Sequence, residues 1–356
     1  MSTISIKDSL RQSIEAASNG EQTVLYTAKG QPSFMNIIKK FDLSTIDSSL
    51  SGTHPAFIVN GVEKDAIYIG TYASTLKNGE LISIPNSAAN VTLNHDTANV
   101  NARACGAGFH LMTNAEWSAA ALLSYKNLTQ PNGNTYYGRS IEDATQVGRR
   151  VDGVDASAGI TSGTPITLTG TGPVSWRHNQ KYNGISDLAG NRPEVTTGAR
   201  LFNGEIQVIA NNNAAMSTTD LSATSAAWMA IDATTGLLVA PNGSGTTAGT
   251  VKLALSGTAD YTLVSAQSAL FSAMTNPAAT NKVSAAAINT LKSLCLYPIS
   301  NTGLGSDILT HFSTDERVIL RGGSYIGGIS SGIFCLDATL GRTAANLHSR
   351  LAYYTP

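Results

Sequence analysis

Apolar residues keep helical spacing only over short stretches of this chain; elsewhere they alternate or cluster between runs of Gly, Ser, Thr and Asn. Over residues 5–18, Ile6, Leu10, Ile14 and Ala17 form one helical stripe, and Asp8 stands early, where the helix dipole favours a negative charge. The spacing predicts a short amphipathic helix, packed on the main body or on copies of itself. A second helical piece is expected over 33–41.

From His54 the period changes to two. Ala56-Phe57-Ile58-Val59 and Ala66-Ile67-Tyr68-Ile69 flank Asn60-Gly61, a tight-hairpin signal. Thr113-Asn114-Ala115-Glu116 is a capping box with Trp117, Ala120 and Ala121 following on one face, which predicts a helix over 114–125. Residues 127–172, rich in Asn, Gly, Thr and Asp, predict long solvent-exposed loops with short strands. Strand-like pieces at 205–209 and 251–255 surround the Gly/Ser/Thr-rich 241–249, so the block of about 205–283 reads as a β-rich insertion. A short apolar helix is expected over 285–294. These elements make an α+β chain: an N-terminal helical segment, 1–50, for attachment or oligomerisation, and one elaborated domain, 51–356.

A length of 356 residues exceeds what a single core usually occupies, in keeping with one decorated domain. A net charge of −1 gives no electrostatic footprint for nucleic acid, and Lys39-Lys40 and Arg149-Arg150 read as solvated surface pairs. Cys105, Cys295 and Cys335 lie too far apart for a zinc or disulfide pattern. Residues 1–19 lack a basic segment followed by an apolar run, so no secretory signal is expected, and no stretch predicts membrane insertion.

Three segments carry a resemblance. Gly106-Ala107-Gly108-Phe109-His110-Leu111-Met112-Thr113-Asn114-Ala115-Glu116-Trp117, Asn183-Gly184-Ile185-Ser186-Asp187-Leu188-Ala189-Gly190-Asn191 and Leu320-Arg321-Gly322-Gly323-Ser324, with Arg350 near the end, resemble motifs of the formylglycine-generating-enzyme-like branch of the C-type lectin fold. Their order and spacing span about 51–356. The chain departs from that pattern at Gly190-Asn191-Arg192-Pro193-Glu194-Val195, where relatives carry two tryptophans, and at Leu347-His348-Ser349-Arg350.

Within that branch the chain is most similar to the variable proteins of diversity-generating retroelements, especially phage-encoded ones. Pro131-Asn132-Gly133-Asn134-Thr135-Tyr136-Tyr137-Gly138, residues 198–207 and residues 291–298 add to the likeness. The resemblance implies a variable region, about 321–350, rewritten at template adenines. Such changes in an AAC-type codon never yield Lys, Glu, Gln, Trp or Met, and none of these occurs from Gly322 to Pro356. A general scarcity of these residue types is the plain alternative.

Taken as a strand, residues 333–339 place Phe334, Leu336 and Ala338 on a core face and Ile333, Cys335, Asp337 and Thr339 on a displayed face. The expected binding surface adds Tyr325, Ile326, Gly327, Ile329, Ser330 and Ser331 before that face and Leu340, Thr343, Ala344 and Asn346 after it. Arg321-Gly322-Gly323-Ser324, Gly332 and Arg350 read as frame. Tyr325 offers a contact anchor or a core-packing ring.

An oxidase of the same branch needs two nearby cysteines for copper, and only Cys335 lies in this region. His110, His178, His311 and His348 are scattered and read as surface or hydrogen-bonded residues. Asn183, Asp187 and Asn191 could supply oxygens to a structural calcium or simply hold their turn. Neither Glu-Pro-Asn nor Gln-Pro-Asp, the sugar-binding triplets of animal lectins, occurs. The expectation is a non-enzymatic receptor-binding protein of the phage tail-fibre type, on a virion or prophage-encoded. Its target would be a bacterial surface protein or glycan, and trimers are expected by analogy. An oxidase and a non-variable adhesin are the alternatives.

Overall fold

The computed structural model describes residues 8–89, 93–157 and 159–356. It is a mixed α+β chain, mostly open sheets, with four α-helices among the described residues. A five-stranded sheet runs in the order Gln22–Tyr26, Pro32–Lys39, Ala66–Gly70, Leu351–Tyr353, Phe109–Leu111. The C-terminal strand thus lies between two strands from the first third of the chain. Among the described residues no helix is long and apolar enough to cross a membrane.

The first helix, α1, spans Ser9–Ala17, with the Asp8 carboxylate accepting the Arg11 N–H at 3.0 Å; residues 5–7 of the expected helix lie outside the described residues. The helix expected over 33–41 is instead the strand Pro32–Lys39. It is hydrogen-bonded along both edges, to Gln22–Tyr26 and to Ala66–Gly70, and buries Ser33, Met35 and Ile38 between these neighbours. Two-sided pairing decides against a helix where a short apolar run fits both periods. Most of the segment expected to be helical is therefore sheet.

Asn60 and Gly61, both at positive φ, form the expected hairpin, but it joins only Ile58–Val59 to Val62–Glu63. The run at 66–70 pairs elsewhere, with Pro32–Lys39 and Leu351–Tyr353. Between these, α2 spans His95–Arg103, capped by Asn94.

The central helix, α3, spans Asn114–Lys126 and has the expected reciprocal cap: Glu116 N–H donates to Thr113 Oγ1 at 3.1 Å and Thr113 N–H to Glu116 Oε2 at 2.9 Å. It is buried all round from Asn114 to Leu122 rather than along one face. Ser284 caps α4, Ala285–Ser293, close to the expected bounds.

The larger sheet runs Leu238–Val239, Trp228–Ile231, Glu205–Ile209, Glu194–Phe202, Glu316–Arg321, Leu336–Ala338, Ile308–His311, Ser268–Leu270. Strands of the 205–283 block thus continue, edge to edge, the sheet that carries the C-terminal segment. The 127–172 loops are less exposed than expected: Asn134, Ser140, Arg150 and Thr167 are buried. Isolated backbone bridges, such as Arg139 with Val147 and Arg150 with Thr167, are supplemented by side chains, with Gly138 N–H donating to Asn134 Oδ1 at 2.6 Å and Thr167 N–H to Asn191 Oδ1 at 2.9 Å.

Candidate ligand-binding surface

Arg321 ends its strand fully buried. Its Nε and Nη2 donate to Asn114 Oδ1 at 3.1 and 2.6 Å, and Nη2 also to the Cys295 carbonyl at 3.0 Å. Burial lowers its pKa to about 10, since no carboxylate offsets the desolvation. Gly322 follows at φ +87°, so close to the core that a Cβ would stand 3.0 Å from the Leu188 carbonyl and 3.4 Å from the Trp117 ring. Ser331 then closes the loop. Its hydroxyl accepts the Ser324 N–H and donates to the Ser324 carbonyl, both at 2.9 Å.

Tyr325 is half-buried and tied by its backbone, N–H to the Asn191 carbonyl and carbonyl to the Tyr137 N–H, each at 2.9 Å. Its ring meets Tyr137 edge-on at 5.9 Å, and the Arg192 guanidinium lies over the ring, 5.9 Å from its centroid. Ile326 and Ile329 project outward, 59% and 57% exposed, on the turn that includes Gly327 and Ser330. These two aliphatic side chains have no core to enter.

The expected displayed face is only partly realised. Ile333 and Cys335 are buried, as is Ser331, because the strand begins at Leu336; residues 332–335 form a turn, with Cys335 N–H donating to the Gly332 carbonyl at 3.0 Å. Period-two alternation does not apply before Leu336. The Ile333 carbonyl accepts the Trp117 indole N–H at 2.8 Å. Asp337 and Thr339 are half-buried, and the Asp337 carboxylate accepts the Thr339 N–H at 2.8 Å and its hydroxyl at 2.6 Å. Phe334, Leu336 and Ala338 fill the core.

Gly327, Ser330, Ser331, Cys335 and Asp337 nonetheless meet, lining a cleft of about 120 Å³ with Pro193 and Thr310. Leu340, half-buried, leans on the smaller hydrophobic core. Thr343 and Asn346 are exposed and Ala344 half-buried along the following loop, where the Asn346 carbonyl accepts the Arg192 guanidinium at 3.3 Å. The loop residues Thr135, Tyr137 and Ile141 and the carboxyl of Asp307 also border the turn, and the tail's own pattern gave no sign of them.

The thiols of all three cysteines are buried, and burial pushes those of Cys105 and Cys295 up to about 12 and that of Cys335 higher still, with Asp307 and Asp337 adding to the last. Asn183, Asp187 and Asn191 do not converge on one point. Asn183 donates to Glu21 at 2.6 Å, Asp187 accepts the Gly170 N–H at 2.8 Å, and Asn191 serves Thr167 and Asn134. The four histidines are buried rather than on the surface. His110 Nε2 lies 2.8 Å from Glu116 Oε1, and His178 Nδ1 accepts the Ile185 N–H at 2.9 Å.

Neither a family model nor a curated protein matches the chain.

Proposed function

We propose that this protein is a ligand-binding protein with a C-type-lectin-like fold of the formylglycine-generating-enzyme-like branch. Its C-terminal region, about 321–350, would be diversified by a retroelement and serve host-receptor recognition at a phage tail-fibre tip. The target is a bacterial surface protein or glycan, and the display unit is a homo-oligomer, trimeric by analogy with tail fibres.

The observation that carries this reading is the contrast within one short segment. Arg321, Phe334, Leu336 and Arg350 are buried and held by fixed partners, whereas Ile326 and Ile329 stand exposed on an ordered turn between them. Apolar side chains on fixed backbone lose little freedom on binding, and changing them leaves the core untouched. The high thiol pKa of Cys335 weighs against the oxidase alternative, which works through thiolates.

The test is adsorption of the purified chain to a panel of bacterial strains. Binding to particular strains that is lost in the I326D/I329D double variant, with unfolding unchanged, is expected. Equal binding by both proteins, or adsorption to no strain, overturns the reading. A reverse transcriptase gene and an adenine-bearing near-copy of the final gene segment should lie close by; their absence overturns the retroelement part alone.

A further inference from the structure

The turn that carries Ile329 also helps to line a second cavity, about 220 Å³ in volume, together with the 130–142 loop and residues 304–307. Asp307 lines its interior, nine-tenths buried, and Glu142 lies at its exposed rim. Asp307 Oδ2 accepts the Phe334 N–H at 2.7 Å. Oδ1 lies against Gly332, where a Cβ would stand 2.1 Å away, so only glycine leaves room for this carboxyl. Asn132, Thr135 and Ser140 add polar groups to the wall, and among the described residues no Lys or Arg lines the cavity.

A carboxyl buried in a cavity that a second carboxylate also lines, with no Lys or Arg among the described lining residues, is electrostatically uncompensated. Burial first, and then the charge of Glu142, raises Asp307 to about 7, while the Phe334 and Cys335 N–H groups pull the other way. A positive group entering from the rim would meet both carboxyls and exchange water for charge-assisted hydrogen bonds. The volume is below the ~300–1,000 Å³ of sites that enclose whole small-molecule ligands, so the occupant is one group of a larger molecule.

We propose that this cavity is a cation subsite that takes a primary ammonium or guanidinium group, with Asp307 as the inner and Glu142 as the outer acceptor. Both acceptor residues lie upstream of 321–350, so the two carboxyls stay fixed while the part of the wall formed by Gly328 and residues 331–334 belongs to the changing region. The subsite would grip a feature common to many targets, leaving discrimination to the variable side chains. That division of labour rests on the ligand-binding reading above; the cation subsite itself does not.

The test is an NMR titration of the full chain. The cationic probes are Nα-acetyl-lysine methylamide, Nα-acetyl-arginine methylamide and glucosamine; the neutral controls are Nα-acetyl-norleucine methylamide and N-acetylglucosamine. Cationic probes are expected to give saturable shifts at the Gly332 and Phe334 amides, and the controls none. D307N should weaken binding at least about tenfold, as expected for loss of a charged hydrogen-bond acceptor. E142Q, at an exposed position, should weaken it severalfold without unfolding the chain. Stronger binding of the amino-acid amides assigns the group to a protein target, and of glucosamine to a glycan. The proposal is overturned if the controls bind as tightly, if E142Q and a folded D307N both bind like the unaltered chain, or if no cationic probe gives a saturable shift. I326D/I329D should keep probe binding, so failure of the subsite and failure of the display surface are separately visible.

Discussion

Arg350 and Glu194 meet as a buried two-pronged ion pair: Nε donates to Oε2 at 2.9 Å and Nη2 to Oε1. The remaining guanidinium donors reach the Gly70 carbonyl at 2.9 Å and the Ser186 carbonyl at 3.0 Å. One side chain near the C-terminus therefore ties together both sheets and the 183–191 turn.

Replacing Arg350 by Met should cost about 3–5 kcal/mol, because Glu194 would be left charged and unpaired in the interior. The R350M/E194L double variant should recover part of that loss, and R350K little, since an ammonium cannot make the paired contact. Urea unfolding of these three variants and of E194L alone checks this. Additive effects in the double variant would show that the two side chains act independently.

Frame and display positions should separate sharply by stability. Phe334→Ala, in the core, should cost about 3–5 kcal/mol, whereas Ile329→Ser, 57% exposed, should stay within about 0.5 kcal/mol. Thermal melts of both variants measure the contrast. A large loss for Ile329→Ser would make the turn part of the core.

Gly322→Ala is a test of the frame at its tightest point. The backbone at φ +87° disfavours any Cβ, and the space behind it is closed by the Leu188 carbonyl and Trp117. A loss of about 1–3 kcal/mol is expected from the backbone strain. Chemical unfolding of this variant gives the value, and a neutral result would mean that the 321–324 turn is not held against α3.

What the sequence made legible follows from where local signals suffice. Thr113 and Glu116 define the start of α3 by chemistry confined to four residues, and Asn60-Gly61 likewise marks its hairpin. The strand Pro32–Lys39 was not legible, because its identity depends on neighbours about ten residues before it and thirty after it, outside any local window. The same limit applies at Ile333 and Cys335. Their burial depends on a turn anchored by Trp117 and Asp307, residues remote in sequence, so alternation counted from Leu336 backwards puts them on the wrong side. The cavity at Asp307 combines three separated loops, and its inner acidic residue follows a Gly-Leu-Gly-Ser run with no chemical signature.

The thiols should be inert in the native protein. A buried cysteine whose pKa is pushed to about 12, as for Cys105 and Cys295, carries almost no thiolate at neutral pH, and Cys335 carries less. Ellman's reagent should label none of the three until denaturant is added. Cys335→Ser should leave target adsorption intact. Rapid native labelling of Cys335 would place its sulfur in an open, activated setting and revive oxidase chemistry.

Asp307 should leave a mark on stability as a function of pH. Its folded-state pKa is raised from 3.8 to about 7, so between those values the folded chain holds a proton that the unfolded chain releases. Its contribution is therefore fully present below the unfolded value and is lost as pH rises through about 7. His54, His178 and His348 act in the opposite sense. Burial lowers them to about 3, 4 and 3, so the unfolded chain binds more protons below about 6.5 and acid weakens the fold. Subtracting the stability of D307N from that of the unaltered chain cancels the histidine part, since these residues are common to both. The difference, measured by urea unfolding in steps from pH 4 to 8, should fall steadily up to about 7 and then level off. A difference that is flat across that range would mean the carboxyl is already ionised at pH 4, which would remove the electrostatic strain that a cation in the neighbouring cavity relieves.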